Sequence, residues 1–184
     1  VAAAITAWLA IAAWRRRPTA GAVPFAALMA AVSLWSLGYS VELLVPDLAS
    51  KILWAKIEYA GIVTVGVAWL LFALEYSGNE GWATPLRRAL LAIPPVLVLA
   101  MVWSNELHGL IWRTVELNVG GDIAVLEVSY GPGFWVHALY TYALLLVSTG
   151  LLLRMITRSA YLFRGQTGLL LVGMFAPWLG NMIY

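Results

Sequence analysis

Cysteine is absent from the 184 residues, and histidine occurs only twice. The lack of cysteine excludes disulfide bonds, a thiolate nucleophile and any metal site with cysteine ligands. His108 and His137 are accompanied by no cysteine and by no close aspartate, so they do not form a zinc motif. We expect neither a metal ion nor another cofactor in this chain.

Motifs of catalysis are missing as well. The chain has no His-Glu-x-x-His pair, no Gly-x-Ser-x-Gly elbow, no Walker loop and no Gly-x-Gly-x-x-Gly turn. It also lacks the nucleotide-binding and phosphoacceptor segments of a kinase. We therefore expect this segment itself not to be an enzyme.

Charged residues are scarce. They make up 11% of the chain, whereas hydrophobic residues make up 62% and the mean hydropathy is +0.86. A soluble domain usually carries about 25% charged residues. Apolar runs of about 20 residues recur, which is typical of helices that span a bilayer. The basic pI of about 9.1 does not indicate nucleic-acid binding, because the basic residues lie at the ends of these runs.

The pattern predicts an all-α polytopic membrane protein built as one transmembrane domain over residues 1–184. The six predicted spans are, approximately, 1–14, 20–45, 52–76, 89–103, 134–156 and 166–184. The proline pair Pro94-Pro95 is expected to kink the fourth span, because it removes two helical donors. The chain begins without methionine and ends within an apolar run, so we expect it to be a fragment.

Residues 104–133, called the lid below, form the one long segment that is unsuited to hydrocarbon. It carries four acids against one base, Arg113. Its runs Trp112–Asn118 and Ile123–Tyr130 are rich in β-branched residues and flank Gly120-Gly121-Asp122, which predicts a small β-hairpin. An isolated hairpin is marginal in water, so it should rest on the helix ends. Trp103, Trp112, Phe134 and Trp135 are predicted to form an interfacial aromatic belt around it.

Orientation is predicted from the basic residues between the spans. Eight of the 11 fall on one side (Arg15, Arg16, Arg17, Arg87, Arg88, Arg154, Arg158 and Arg164), against Lys51, Lys56 and Arg113 on or near the other. The eight-base side is expected to be cytoplasmic by the positive-inside rule. The N-terminus and the lid are then extracellular, in a multi-pass protein of the plasma membrane.

Ionisable residues within spans are costly and often functional. Trp35, Tyr39 and Glu42 are predicted to share one face of the second span, by their spacing of four and three residues. Glu58 lies in the third span, one turn from Trp54. Glu42 is either part of a pocket or a wetted helix end. Glu58 either contacts a ligand or a proton, or forms a structural ion pair with Lys51 or a lid base.

Other polar and aromatic residues complete the predicted ligand site. His108 and Trp112 lie in the lid, and for His108 and His137 a hydrogen-bonding role competes with a role in sensing. Asn181, near Pro177 and Trp178, either bonds a neighbouring helix or contacts a ligand. The full set of candidate ligand-binding residues is Trp35, Tyr39, Glu42, Trp54, Glu58, His108, Trp112, Tyr130, His137, Tyr140 and Asn181.

The order of six landmarks resembles the N-terminal seven-helix membrane region of bacterial and archaeal sensor histidine kinases. They are SLWSLGY at 33–39, WAKIEYAGI at 54–62, WLLFALEYSG at 69–78, NELHGLIW at 105–112, YGPGFW at 130–135 and PWLGN at 177–181. The resemblance implies a sensor module that passes a stimulus to cytoplasmic kinase segments, which would lie, with a seventh helix, beyond Tyr184. We expect a homodimer in the lipid bilayer, an unidentified small-molecule or lipid-like stimulus, and no nucleic-acid partner.

Two other functions fit parts of the pattern. A secondary transporter or ion-coupled carrier would use helices broken at Pro94-Pro95 and Pro177 together with buried Glu58. A retinal-type photoreceptor would place its Schiff-base lysine on the last helix and would have Glu58 as a counter-ion. Flux in proteoliposomes would distinguish the first alternative, and colour in the purified protein the second.

Overall fold

The computed structural model describes residues 1–120 and 124–158. Within them the chain is mostly helical, and four helices are long and apolar enough to cross a membrane. The elements in chain order are α1 (Ala2–Arg15), α2 (Ala22–Leu44), α3 (Leu48–Tyr76), α4 (Pro85–Trp103), α5 (Asn105–His108), β1 (Trp112–Asn118), β2 (Val125–Tyr130) and α6 (Pro132–Arg158). A single 3₁₀ turn, Glu80–Trp82, precedes α4.

Local sequence signals set the helix boundaries. Gly21 adopts a left-handed φ of 80° just before α2, a conformation that glycine adopts without steric cost. The Asp47 side chain accepts a hydrogen bond from the backbone N–H of Ser50 and so caps α3. Thr84 caps α4 in the same way, with Pro85 in the first turn. The cap at Asp47 explains why α3 begins four residues before the predicted span.

Helix α3 lies at the centre of the bundle and packs against α2, α4 and α6, while α1 packs on α2. Two clusters of buried side chains show this arrangement. Trp69 of α3 belongs to one, with Leu28 of α2 and Leu152 of α6. Tyr59 of α3 belongs to the other, with Val102 of α4 and Trp112 of the lid. The lid-side half of α3 therefore packs against α4 and the lid through its buried side chains.

Helices α2 and α3 approach closely at two glycines. A Cβ atom added to Gly61 would meet the backbone oxygen of Ala31 and would lie 3.0 Å from the backbone nitrogen of Trp35. A Cβ atom added to Gly38 would lie 2.5 Å from Cγ of Glu58. Small residues of this kind let the backbones of membrane helices come together.

The lid contains a two-stranded antiparallel sheet, as the sequence predicts. Strand β2 begins at Val125, two residues after the predicted start, and residues 121–123 of the predicted turn lie outside the described part of the chain. Val115 and Val128 pack against the cluster that contains Tyr59, so the sheet rests on the helix ends. Trp112 is 5% exposed. It is a core residue rather than a member of the interfacial belt, which corrects the prediction.

The Asn105 side chain closes the connection between α4 and β1. Its Oδ1 accepts hydrogen bonds from the backbone N–H groups of Ile111 and Trp112, both at 3.0 Å, and its Nδ2 donates to the Trp112 carbonyl at 2.9 Å. The first turn of α6 is attached to the same segment, since Gly131 and Gly133 donate to the carbonyls of Ile111 and Leu110. Hydrogen bonds of the backbone and of the Asn105 side-chain amide thus hold the base of the lid.

The structure bears differently on the predicted fourth, first and sixth spans. Helix α4 runs without interruption across Pro94 and Pro95. Helix α1 has 14 residues and is shorter than the four membrane-length helices. The predicted sixth span, 166–184, lies outside the described residues.

Candidate functional site

Charged side chains are buried at the lid end of the bundle, where α2 ends and α3 begins. The residue exposures are 5% for Glu42, 0% for Lys51, 8% for Lys56 and 6% for Glu58. Removing a charge from water costs several kcal/mol unless it is paired. A buried charge without a partner is therefore a candidate functional group, and a paired one is a candidate structural group.

Lys51 pairs with Glu42, across the connection between α2 and α3. Its Nζ donates to the Glu42 carbonyl oxygen at 2.6 Å and lies 3.4 Å from Glu42 Oε1. The last carbonyls of a helix lack helical partners, and the lysine satisfies one of them. The predicted alternatives of a wetted Glu42 and of a Lys51–Glu58 pair are therefore wrong. The lysine reaches back to the end of α2 rather than along α3.

Lys56 pairs with Glu106 of α5, at 2.5 Å between Nζ and Oε1. This contact, called the latch below, joins α3 to the start of the lid. The hydrogen bond from Lys56 holds the pKa of the Glu106 carboxyl below its ordinary value of 4.5. The lysine also lies 5.9 Å from the ring centroid of Trp103, at the end of α4. Sequence reasoning missed this pair, because the chain separation of 50 residues gives no local signal.

Glu58 has no such partner. Its Oε1 is buried without a hydrogen bond among the described residues, and its Cγ lies against Gly38 of α2. A buried polar atom left without a partner costs about 1–3 kcal/mol, more for a charged group. Such atoms in a folded protein often mark strain or function. Of the sequence-predicted residues, Glu58 retains the clearest functional signature.

Trp35, Tyr39 and Glu42 lie on the uninterrupted helix α2, as their predicted common face requires, but they differ in burial. Trp35 is 40% exposed and Tyr39 is 52% exposed, whereas Glu42 is buried. A Cβ atom added to Gly61 would lie 3.0 Å from the backbone nitrogen of Trp35 and 3.1 Å from its Cβ, so the first atoms of this residue lie against α3. Trp54 is half-buried on α3, on the same turn as the site.

In the lid, the predicted residues separate into buried and exposed ones. The Trp112 ring packs edge-on against Tyr59, with centroids 5.4 Å apart. Tyr130 is 46% exposed and stacks on Phe134. His108 closes a turn, since its Nδ1 accepts a hydrogen bond from the Leu110 N–H and its Nε2 lies 3.1 Å from Ser104 Oγ. The hydrogen-bonding role for His108 is thus the one that the structure supports.

Helix α6 contributes His137 and Tyr140. His137 is 5% exposed, and its Nδ1 has no hydrogen-bond partner among the described residues. The Tyr140 hydroxyl donates to the Leu91 carbonyl of α4 at 2.8 Å. Asn181 lies outside the described residues. The described members of the predicted set are therefore spread over α2, α3, the lid and α6.

Two adjoining depressions lie between the start of α3 and the lid. The larger, of about 430 Å³, is lined by Ile52 and by lid residues that include Glu106, His108, Trp112 and Arg113. The smaller, of about 280 Å³, contains Lys56 and shares Ile52 and Glu106 with the larger. Glu106 of the latch thus lines both depressions, and Lys56 lines the smaller one. In the described part of the chain, no three potential metal ligands come together.

Comparison with protein-family models matches residues 1–184 to a family described as the N-terminal 7TM region of histidine kinase. Searches among curated proteins and among solved structures returned no match. The match covers every residue of the chain, including those outside the described part.

Proposed function

This chain belongs to the N-terminal seven-transmembrane region of histidine kinases, and we propose that it detects its stimulus at the lid end and transmits it through α3. A region of this kind is a membrane-embedded sensor and not the catalytic domain of the kinase. Beyond the family match, we propose that the stimulus acts at the lid end and that the lid is extracellular. We also propose that a kinase domain of the same polypeptide receives the signal.

The observation that supports this place is the buried carboxyl group of Glu58. It lies on the helix that contacts α2, α4 and α6, and it has no hydrogen-bond partner for Oε1 among the described residues. Keeping an unsatisfied group in this position costs stability, and such costs are typical of functional positions. A small molecule, a lipid-like molecule or a proton that satisfied this oxygen would favour one arrangement of the helices around α3.

Two neighbouring ion pairs could transmit a change in helix arrangement between α3 and the elements around it. The Lys51–Glu42 pair joins α3 to α2, and the latch joins α3 to the lid. A stimulus that alters one pair alters the contact between α3 and another element. The far end of α3, at Tyr76, lies at the end of the bundle that we propose to be cytoplasmic. In a homodimer, movement of α3 would shift the paired kinase domains.

The test uses the full-length kinase in proteoliposomes and measures autophosphorylation. Glu58→Gln keeps the shape of the side chain and removes its ability to ionise. We expect this variant to shift basal autophosphorylation by at least threefold while the unfolding midpoint of the membrane region stays unchanged. Glu80→Gln is the matched control, because Glu80 is exposed in the 3₁₀ turn at the opposite end of α3. Equal autophosphorylation in wild type and Glu58→Gln would contradict the proposal.

The described residues meet one requirement that the transporter and photoreceptor alternatives share, since Glu58 is buried. The transporter hypothesis drew on a break at Pro94-Pro95, and α4 is continuous there. The family match is to a sensor region and favours neither alternative. We therefore retain the sensor as the one proposed function.

A further inference from the structure

We propose that the larger depression between α3 and the lid binds a small water-soluble organic carboxylate, with the guanidinium of Arg113 holding its anionic group. The proposal rests on the proposed function only for its consequence in signalling. Binding itself can be measured without kinase output, so the two can fail separately.

Most charged and polar groups around this depression already have partners. Glu106 is engaged by Lys56, both nitrogens of His108 make hydrogen bonds, and the Asn105 amide is used by the lid backbone. Arg113 is exposed and forms no ion pair with any described residue. The guanidinium is thus the ionised donor that remains for a ligand.

Arg113 lies on β1 where the pairing of the two strands is irregular. The pairing of β1 with β2 is irregular between Trp112 and Thr114, and Arg113 has no partner in the register. Irregularities of this kind change the direction of a side chain next to functional sites. Arg113 lies at this irregularity and lines the depression together with Val115.

The guanidinium and the apolar lining together indicate the class of ligand. Arginine binds carboxylates through two parallel hydrogen bonds, which lysine cannot do. Beside the guanidinium, Ile52, Leu107 and Val115 supply apolar lining for a short hydrocarbon chain. A volume of about 430 Å³ lies in the usual range for small-molecule sites, about 300–1,000 Å³.

The place of the depression in the lid indicates that its ligand comes from water. All of the lining residues except Ile52 lie between Asn105 and Val115, within the lid. The lid is the segment least suited to hydrocarbon, and Glu106, His108 and Arg113 are exposed there. A carboxylate that arrives through water therefore fits this site better than a lipid that arrives through the bilayer.

The test uses the full-length protein in nanodiscs of zwitterionic lipid and three probes with the same hydrocarbon chain: hexanoate, 1-hexanol and hexylammonium. Binding is measured by calorimetry and by the change in NMR shift of labelled tryptophan. We expect saturable binding of hexanoate and at least tenfold weaker binding of the other two. Equal binding of hexanol, preferred binding of hexylammonium, or no saturable binding of any probe would overturn the proposal.

Three variants locate the site. Arg113→Gln should weaken hexanoate binding at least tenfold, and Arg113→Lys should give an intermediate value, since it keeps the charge without the planar fork. Glu106→Gln should strengthen binding severalfold, because it removes a negative charge from the lining and leaves Lys56 unpaired. Arg154→Gln, at an exposed position of α6, is the matched control and should bind as wild type does.

All variants are first compared by their unfolding midpoints, so that a loss of fold is not read as a loss of binding. Unchanged binding in Arg113→Gln would show that another group holds the anion and would overturn the assignment. The measurement is repeated in nanodiscs of anionic lipid. If anionic lipid blocked hexanoate completely, the occupant would be a lipid headgroup, and the proposal of a water-soluble ligand would fail.

Discussion

The ammonium group of Lys51 lies 2.6 Å from the carbonyl oxygen of Glu42 and 3.4 Å from its carboxylate, and the lysine is completely buried. The pair joins the end of α2 to the start of α3 through a backbone bond and a charge contact together. Its removal should affect both the α2–α3 connection and the electrostatics of the lid end.

We predict that Lys51→Met lowers the free energy of unfolding by about 3–5 kcal/mol, because breaking a buried ion pair leaves its partner charge uncompensated. The measurement is chemical unfolding in detergent. The double variant Lys51→Met/Glu42→Gln should recover part of the loss, since no buried charge remains. A double variant as unstable as the sum of the single ones would show that the two groups act independently.

The latch provides a contrast, because the Glu106 side chain is 61% exposed. We predict that Glu106→Gln lowers the free energy of unfolding by about 1–3 kcal/mol, less than Lys51→Met does, because only Lys56 of this pair is buried and the amide oxygen of the glutamine can still accept its hydrogen bond. A loss as large as that of Lys51→Met would mean that the latch carries the packing of the lid as well as its charge.

Glu106 should also report on the latch through its titration. The Lys56 hydrogen bond lowers the pKa of Glu106 below 4.5, so its contribution to stability is present above the unfolded pKa and disappears as the pH falls through the lowered folded pKa. In Lys56→Gln we expect the pKa to rise towards 4.5, as measured by carboxyl ¹³C NMR.

Asp47 is the internal control for that titration. Its pKa is lowered by hydrogen bonds from Ser50 at the start of α3 and has no contribution from Lys56. The Asp47 resonance should therefore titrate identically in wild type and in Lys56→Gln. A Glu106 pKa that did not move in this variant would exclude the latch in solution.

The close contact of α2 with α3 gives a further prediction. Gly61→Ala should lower the free energy of unfolding by about 1–3 kcal/mol, because overpacking forces the backbones apart. Gly150→Ala on α6 is the control, since an added Cβ meets nothing within 4 Å among the described residues. It should leave stability unchanged or raise it by about 0.5–1 kcal/mol, as glycine is unfavourable in helices.

The absence of cysteine makes the orientation directly testable. A single cysteine in place of Glu116, exposed on β1, should react with a membrane-impermeant maleimide added to intact cells. A cysteine in place of Glu80, between α3 and α4, should react only after the cells are opened. The reverse pattern would place the lid in the cytoplasm and contradict the positive-inside assignment.

The helices could be predicted from the sequence because each depends on a local signal. Long apolar runs located α2, α3 and α4, and β-branched residues around Gly120 located the sheet. The start of α3 was placed late because the cap at Asp47 was not weighed against the apolar pattern. The family resemblance also came from local motifs, and the family match confirms it.

The pairing of charges could not be predicted, because it depends on the distance between elements. Periodicity placed Lys51 and Glu58 on one face of α3, but it could not show that the end of α2 offers Lys51 a nearer carbonyl. It also could not show that Trp35 and Tyr39 are 40% and 52% exposed while Glu42, on the same helix, is buried. Lys56, Glu106 and Arg113 were not among the predicted site residues for the same reason.

The glycine contacts restrict how α2 can move. At Gly61 the two main chains touch without an intervening side chain, and at Gly38 only the Glu58 side chain intervenes. Because a packed interface has no slack for compression, α2 cannot tilt towards α3. Rotation of α2 about its long axis, or sliding along it, would move Glu42 relative to Lys51 and would have to break their buried ion pair.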